Sequence, residues 1–251
     1  EHKPLSQQQE FKAIKNMVIR EADHLQLGVF TFEDAQMKDE VDEDQDAVLH
    51  AWSSQWEMAE TYQNAKEILS VYENTEEEKA EQVQVLEQLW SSGFTVAAHQ
   101  LGKCWRDGLG VLPDDKKAEL WFQCGAEAGH DFSQYALGKL LQSQKRINEA
   151  VSWYEKAVEL GDPYAAYQLG KLYLQGEQVQ KDVAKALEYL TQSAEQGNQY
   201  AQYTLGKLYL TGEEVAQDQE QAYNWLWESA SQGNEYAQFL LDHFDDSHRP
   251  N

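Results

Sequence analysis

Along residues 94–244, apolar positions recur three and four residues apart, which is the spacing of amphipathic helices, and the whole pattern returns about every 36 residues. The dipeptide Leu-Gly marks the register of the copies, at Leu101-Gly102, Leu137-Gly138, Leu169-Gly170 and Leu205-Gly206. A degenerate fifth copy is Leu241-Asp242, and the steps between copies are 36, 32, 36 and 36 residues. A fixed period of this length predicts a solenoid of helix pairs.

Columns of small and aromatic residues accompany the Leu-Gly pair. Four residues before the Leu stand Ala97, Ser133, Ala165, Ala201 and Ala237. In the second half of each copy stand Ala118, Ala150, Ala186 and Ala222. Three residues later come Trp121, Trp153, Tyr189 and Trp225. Small residues let helices approach closely and aromatic rings fill the space between units, so these columns predict the packed core.

Each copy closes with a glycine, at Gly129, Gly161, Gly197 and Gly233. Glycine is favoured where a helix ends in a left-handed residue, so this column predicts the end of the second helix. A loop such as 176–182 joins the two halves of a copy, and the 32-residue copy is four residues shorter there. Loops tolerate such deletions, so each copy is predicted to be a helix-loop-helix hairpin.

The motifs that recur are Ala-x-x-x-Leu-Gly, then Tyr, Gly, Val and Asp, then Lys-Ala, an aromatic residue, Ala and Gly. In this order they resemble the Sel-one-like repeat (SLR) family, longer relatives of the tetratricopeptide repeat. Residues 162–197 and 198–233 match best, 94–129 match well, and 130–161 depart by their short loop. The resemblance implies an all-α fold, a right-handed α-solenoid of antiparallel helix pairs, and an adaptor or scaffold role.

The first 93 residues predict a helical cap ahead of the repeats. Thr75 and Glu78 have the spacing of a capping box at the start of a helix, and Gly93 stands at the offset of a closing glycine. The predicted organisation is therefore an N-terminal helix and acidic linker over 1–46, a diverged hairpin cap over 47–93, a solenoid of four repeats with a capping helix over 94–244, and a tail over 245–251.

The chain has 251 residues and a formal net charge of −24. Such a surface repels phosphate backbones and anionic lipids, so we expect neither direct nucleic-acid binding nor membrane binding by this segment. The sequence shows no apolar run of membrane-spanning length and no signal peptide. With only Cys104 and Cys124 present, two reduced thiols in a cytoplasmic protein are expected, with a disulfide or a metal as the alternative.

Chemical motifs of enzymes are missing from the sequence. There is no Gly-rich phosphate loop, no His-Glu-x-x-His and no nucleophile elbow, and no two of the seven histidines are spaced as metal ligands on one helix. Asp42, Asp44 and Asp46 have the spacing of a calcium loop, but Ala47 stands where that loop needs glycine. We therefore predict no catalytic residue, no cofactor, no metal and no enzymatic activity.

Three further columns share one face of the first helix of each copy. Two residues before the key Leu stand His99, Tyr135, Tyr167, Tyr203 and Phe239. Two residues after it stand Lys103, Lys139, Lys171, Lys207 and His243. Five residues before it stand Val96, Phe132, Tyr164, Tyr200 and Tyr236. Residues three and four apart are neighbours on a helix surface, so these columns predict aromatic side chains beside lysines.

The resemblance to tetratricopeptide architecture implies that this face lines the concave wall of the solenoid. The predicted partner-binding residues are His99, Lys103, Tyr135, Lys139, Tyr164, Tyr167, Lys171, Tyr200, Tyr203 and Lys207. Aromatic rings supply contact area and lysines hold carboxylates, so the expected partner is a protein or peptide with acidic groups. In the alternative, the Tyr rings pack between repeats and each Lys pairs with a local Glu or Asp.

Two more hypotheses concern the role of the chain as a whole. Residues 94–102 and 199–210, behind an acidic helical lead-in, resemble the C-terminal region of relaxase-type mobilisation proteins of Firmicutes. That resemblance implies an accessory region of a larger bacterial protein, with a nuclease domain ahead of Glu1, although no catalytic residue of a relaxase can be placed here. The alternative is an SLR protein that binds, or acts on, a small cell-wall-related ligand.

The aromatic column gives a prediction about stability. Trp225→Ala is expected to lower the free energy of unfolding by on the order of 3 to 5 kcal/mol, as removal of a buried Trp does. Urea unfolding followed by circular dichroism measures the loss. A loss below about 1 kcal/mol would mean that this column does not face the core.

Overall fold

The computed structural model describes the backbone of residues 45–244 and the side chains of 54–244. Predictions for residues 1–44 and 245–251 lie outside the described residues. Within them the chain forms eleven α-helices and no strand: α1 Gln45–Ser70, α2 Glu76–Ser91, α3 Ala97–Asp107, α4 Asp115–Glu127, α5 Asp131–Ser143, α6 Ile147–Glu159, α7 Pro163–Gln175, α8 Val183–Glu195, α9 Gln199–Thr211, α10 Gln219–Ser231 and α11 Glu235–Asp242. The predicted all-α class is confirmed.

Two compact units divide the chain, Glu1–His130 and Asp131–Asn251. In the first unit α1 packs on α2, α2 on α3 and α3 on α4. In the second unit the hairpins α5/α6, α7/α8 and α9/α10 pack one on the next, and α11 packs on α10. Each repeat therefore has a first helix (α3, α5, α7 or α9) and a second helix (α4, α6, α8 or α10). The predicted boundaries of the N-terminal cap and the solenoid stay predictions.

The helices begin at side-chain caps that recur with the repeat. Asp114, Asp182 and Asp218 accept backbone N–H groups at the start of the second helices. The backbone N–H of each of these three residues donates to a carbonyl near the end of the preceding first helix at 2.8–3.0 Å, which closes the loop. In α2 the predicted capping box is present, because Thr75 and Glu78 each accept the other's backbone N–H. Local sequence thus sets the start of these helices.

The closing glycines turn the chain out of each second helix. Their φ angles are 88° at Gly129, 91° at Gly161, 86° at Gly197 and 90° at Gly233, and Gly93 has the same conformation at 90°. In the short repeat, whose loop is four residues shorter, Lys145 adopts a φ of 64° between α5 and α6. Positive φ is strained for a residue with a Cβ, which explains the glycine column.

The glycine of the Leu-Gly pair is required by the close approach of the two helices of a hairpin. A Cβ at Gly102, Gly138, Gly170 or Gly206 would lie 2.4, 2.6, 2.7 or 2.7 Å from the side chain that faces it. Those side chains are Phe122, Tyr154, Leu190 and Leu226, and all four are fully buried. They stand one residue after the aromatic column predicted to form the core. The side chain that faces the glycine is thus Phe, Tyr or Leu, depending on the repeat.

The predicted aromatic column is only half-buried. Trp225 packs at the edge of a cluster that includes Leu190 and Leu205. Trp121 meets Trp90 edge-on, with ring centroids 5.8 Å apart. These rings do cover the space between neighbouring helix pairs, as predicted, but Leu226 rather than Trp225 fills the centre of its hairpin. The difference arises because the aromatic column lies beside the line of closest helix approach and the next residue lies on it.

Removing the space at a Leu-Gly pair tests this contact. Gly206→Ala is expected to lower the free energy of unfolding by about 1–3 kcal/mol, because the new methyl group overlaps Leu226. The loss in the double variant Gly206→Ala/Leu226→Ala should be smaller than the sum of the losses in the two single variants, by about 0.5–3 kcal/mol. Urea unfolding of the two single variants and the double variant gives the coupling energy.

The matched control is Gly197→Ala. Its Cβ would meet nothing within 4 Å, so its loss comes from a φ of 86° alone. Combined with Leu226→Ala it should be additive. Equal coupling in both double variants would show that the loss at Gly206 is a general effect of adding a methyl group.

Candidate functional site

Eight of the ten predicted binding residues lie in the second unit, on α5, α7 and α9. We call this set the Tyr/Lys strip, and its members are Tyr135, Lys139, Tyr164, Tyr167, Lys171, Tyr200, Tyr203 and Lys207. Within each helix the strip residues are three or four positions apart and therefore share a face. The other two predicted residues, His99 and Lys103, lie on α3 in the first unit.

Tyrosine pairs join the first helix of one repeat to the first helix of the next. The ring centroids of Tyr135 and Tyr164 lie 6.1 Å apart, and those of Tyr167 and Tyr200 lie 6.0 Å apart. A third pair, Tyr203 with Tyr236 at 6.2 Å, continues the series onto α11. Packing between repeats, which the sequence allowed as an alternative, is therefore one role of these rings.

The two members of each pair differ in exposure. Tyr164 and Tyr200 are 49% and 51% exposed, whereas Tyr135 and Tyr167 are half-buried. Burial raises the pKa of Tyr135 and of Tyr167, and hydrogen bonds to Gln168 and to Thr204 oppose that rise. The inner tyrosines are thus held by packing and by a neighbouring repeat. The outer tyrosines keep about half of their surface in contact with solvent.

Lysines of the strip are exposed, and none of them forms an ion pair within residues 54–244. Lys139, Lys171 and Lys207 have no carboxylate within salt-bridge distance. Among the other lysines of the second unit, Lys181 lies 2.6 Å from Glu214 and Lys185 lies 3.3 Å from Glu155, whereas Lys145 and Lys156 form no ion pair with a described residue. Lys139 instead sits with its Nζ 5.7 Å from the centre of the Tyr135 ring. The alternative, in which each strip lysine pairs with a local Glu or Asp, is therefore not observed for Lys139, Lys171 or Lys207 among the described residues.

His99 stands in the tyrosine column of α3 and contacts the second helix of its hairpin, as Tyr135 contacts Tyr154 with ring centroids 6.0 Å apart. The ring of His99 packs against Phe122, with centroids 5.7 Å apart. Burial lowers the pKa of His99 to about 3, and the nearby charges of Lys103 and Arg106 act in the same direction. His99 is therefore neutral at physiological pH and belongs to the packing of α3 on α4. Lys103 is half-buried and has no ion pair in the described part of the first unit.

Three aromatic residues outside the predicted set belong to the same surface columns. Phe132, Tyr236 and Phe239 are 47%, 75% and 60% exposed. Tyr236 completes the ring pair with Tyr203. The repeat register was sufficient to find all three, because each stands in a column already identified.

Four consecutive matches to the Sel1 repeat model cover residues 95–130, 132–162, 163–198 and 199–234, which is more than half of the chain. The chain belongs to the Sel1-repeat family. Sel1-repeat proteins generally act as protein-interaction scaffolds and are typically non-catalytic. No curated relative matches the chain.

Solved structures with the same repeat are similar to this Sel1-repeat protein. A Sel1 repeat protein from Oxalobacter formigenes is 29% identical with a TM-score of 0.60, over 66% of this chain and 49% of its own. A protective antigen of uropathogenic Escherichia coli strains with an SLR fold is 25% identical with a TM-score of 0.66, over 91% of this chain and 51% of its own. An immunity protein from Pseudomonas aeruginosa is 26% identical with a TM-score of 0.52, over 74% and 69%.

Those neighbours confirm the solenoid class predicted from the repeat. The chain spans about half the length of the first two structures. None of the helices between residues 45 and 244 is long and apolar enough to cross a membrane. The described side chains include no group of three or more potential metal ligands.

A buried carboxylate lies at the start of α7. Asp162 caps this helix, with Oδ1 accepting the backbone N–H of Ala165 at 2.6 Å, whereas its Oδ2 is buried and has no hydrogen-bond partner in the described residues. Burial raises the pKa of Asp162 from 3.8 to about 6; the Ala165 N–H opposes the rise and the carboxylate of Asp131 adds to it. In the next two repeats Asn198 and Asn234 occupy the same capping position.

This carboxylate gives a pH prediction. Between about pH 4 and 6 the folded chain binds more protons at Asp162 than the unfolded chain, so the stability contributed by this group falls as the pH rises through that window. Asp162→Asn keeps the cap and removes the titration. At pH 7 the variant is expected to be more stable than wild type by on the order of 1–3 kcal/mol, and by much less at pH 4.

Urea unfolding at both pH values measures the difference. Asp182→Asn is the control, because Asp182 caps α8 in the same way but is exposed. A stability difference for Asp162→Asn that stays constant between pH 4 and pH 7 would contradict the assignment.

Proposed function

We propose that this Sel1-repeat protein is a non-catalytic scaffold that binds a peptide or protein partner along the Tyr/Lys strip. One observation supports this most directly. Three exposed lysines without ion pairs stand beside half-exposed tyrosines on successive first helices, in a chain with 44 acidic and 20 basic residues. The exposed lysine recurs at the same position of three successive first helices, each time beside a tyrosine of the strip.

The side chains of the strip suit an acidic partner. The outer tyrosines offer flat apolar area that loses little conformational entropy on binding, because a Tyr side chain has only two χ angles. Lys139, Lys171 and Lys207 offer ammonium groups that form charge-assisted hydrogen bonds with carboxylates. The inner tyrosines pack against the outer rings at 6.1 and 6.0 Å, and this packing favours a surface that is formed before the partner arrives.

Further parts of the proposal concern the setting of the scaffold. The charge of −24 disfavours nucleic acid and anionic membranes as direct partners, and a cytoplasmic location is proposed on the same sequence grounds as before. We keep the role of a relaxase accessory region as a hypothesis without support among the structures named above. The gene sequence upstream of Glu1 tests it, since a relaxase needs a histidine-rich metal site and a catalytic Tyr there.

The alternative of a small-ligand or enzymatic SLR protein has a simple test. A small cell-wall-related ligand that binds the folded chain would raise its melting temperature in a thermal-shift screen. A screen of such compounds without any shift weighs against this alternative.

The proposed function is tested by selecting peptides from a random display library on the full chain. Peptides enriched on wild type should bind Lys171→Glu/Lys207→Glu at least about tenfold more weakly, because two attractive charges become repulsive. Isothermal titration calorimetry with the selected peptides measures the affinities.

The matched control is Lys145→Glu/Lys156→Glu. Both residues are exposed lysines of the second unit outside the strip, and the control carries the same change in net charge. It should retain wild-type affinity within about twofold. If both double variants bind the selected peptides like wild type, partner binding does not use the strip.

A further inference from the structure

The junction between α6 and α7 lacks donors that are present at the next junction, between α8 and α9. At that next junction the Pro163 carbonyl, at the start of α7, accepts the Ser193 hydroxyl at 2.6 Å and the Asn198 side-chain amide at 3.5 Å. In the repeat register Ala157 takes the place of Ser193, and Asp162 takes the place of Asn198. A methyl group cannot donate a hydrogen bond, and an ionised carboxylate cannot donate one either.

Protonation would give Asp162 the donor that this junction lacks. Asp162 is 2% exposed, and its Oδ2 is buried without a hydrogen-bond partner in the described residues. The same position in Asn198 carries the amide that donates to the Pro163 carbonyl, and in the register Asp131 takes the place of Pro163. A protonated Asp162 can supply the equivalent hydrogen bond, whereas the ionised form leaves a buried oxygen without a donor.

The charged groups around Asp162 favour its protonated form as well. On α5 the carboxylate of Asp131 raises the pKa of Asp162, and Asp162 in turn raises the pKa of Tyr135. The helices that pack on α7, which are α6 and α8, end at Glu159 and Glu195, and both of these carboxylates are exposed. Burial and like charge therefore act on Asp162 in the same direction.

The Tyr135/Tyr164 pair connects this junction to the strip. Tyr164 follows Asp162 by two residues, and Tyr135 lies about one helical turn after Asp131. The centroids of the two rings lie 6.1 Å apart. An ionised Asp162 gains hydration when the start of α7 moves away from α5, and that movement separates the two rings. The geometry of this end of the strip therefore depends on the protonation of Asp162.

We propose that Asp162 is a proton switch beneath the Tyr/Lys strip: the protonated acid holds the Tyr135/Tyr164 pair in its binding position, and the ionised carboxylate loosens it. Binding of an acidic partner then takes up a proton at Asp162, and the affinity falls as the pH rises from about 5.5 to about 7.5. A partner carboxylate at Lys139, whose Nζ lies 5.7 Å from the centre of the Tyr135 ring, acts in the same direction because like charges disfavour ionisation. This inference rests on the proposed function and specifies how the same site is regulated.

The first experiment needs no partner. NMR of the full chain with isotope-labelled aspartate follows the carboxyl carbon of Asp162, whose signal is assigned by its absence in Asp162→Asn. The expected midpoint is about pH 6, and the ring signals of Tyr135 and Tyr164 should shift over the same range. Asp131→Asn should move the midpoint to lower pH, because the like charge is removed. A midpoint near about pH 4, or tyrosine signals that do not follow Asp162, would overturn the inference.

The second experiment uses a histidine-free peptide from the library selection whose affinity depends on Lys171 and Lys207. Titration calorimetry in buffers of different ionisation enthalpy gives the proton uptake on binding. Wild type should bind at least about fivefold more weakly at about pH 7.5 than at about pH 5.5, and at about pH 7 it should take up nearly one proton more than Asp162→Asn. Asp162→Asn keeps a donor at both pH values, so its affinity should change by less than about twofold. Asp182→Asn, which alters an exposed cap of α8, is the matched control and should behave like wild type.

The remaining outcomes separate this inference from the proposed function. If the peptide binds through Lys171 and Lys207, but wild type and Asp162→Asn show the same pH dependence and the same proton uptake, the strip binds its partner without a switch and the inference is wrong. If no selected peptide depends on those two lysines, the proposed function fails, and the inference fails with it even when Asp162 titrates as expected.

Discussion

The contact of the second helix with the bare backbone of the first helix is the constraint on which the rest of the structure depends. At Gly102, Gly138, Gly170 and Gly206 no Cβ can be accommodated, because a buried side chain of the second helix already fills that space. This contact sets the distance and the rotation of the two helices of a hairpin. With the rotation fixed, the lysines two after the key Leu are exposed to solvent, and residues two before it, such as His99 and Tyr135, lie at the edge of the contact with the second helix. The surface columns of tyrosine and lysine therefore follow from the packing inside the hairpin.

Stacking of the hairpins in the second unit places the tyrosine and lysine columns of successive first helices next to one another, which forms the strip. Inner tyrosines pack against outer tyrosines of the next first helix. Hydroxyls of the second helices add to this order, since Ser193 donates to the Pro163 carbonyl at 2.6 Å and Ser229 to the Gln199 carbonyl at 2.7 Å. The outer rings and the three strip lysines remain exposed to solvent.

The lysines of the second unit differ in whether a carboxylate lies near them: among the described residues, Lys145 and Lys156 are unpaired like the strip lysines. Lys181 and Lys185 lie beside carboxylates of neighbouring loops and helices and form ion pairs with them. Lys139, Lys171 and Lys207 have no carboxylate of the described residues within salt-bridge distance. An acidic partner would supply the missing groups, and the abundant carboxylates elsewhere on the chain would repel it from other surfaces.

Most of the fold could be predicted from the sequence, because it depends on local signals that recur in register. The 3–4 spacing, the Asp and Asn caps, the capping box of Thr75 and Glu78 and the closing glycines each act within a few residues, and the helices begin and end where they indicate. The columns of the strip were also visible, since a periodic sequence assigns every position to a face. Tyr236, which was left out of the predicted set, stands in one of those columns.

Tertiary structure alone decided which residues are buried and which are paired. The two helices of each hairpin approach most closely at Phe122, Tyr154, Leu190 or Leu226, which stand one residue after the aromatic column. The angle at which the two helices cross decides which of two adjacent positions lies at that contact. His99 is half-buried like the tyrosines of its column, and the packing of its ring against Phe122 across the hairpin could not be predicted from the sequence. Asp162 is a buried carboxylate at a position where the next two repeats have asparagine. The burial that raises the pKa of Asp162 comes from the tertiary structure and is not visible in the sequence. The sequence by itself determined the repeat, the helices and the faces, since these follow from short-range backbone geometry; burial depends on residues of another helix that lie 16 or more positions away, and it was fixed by the packing of one helix on another.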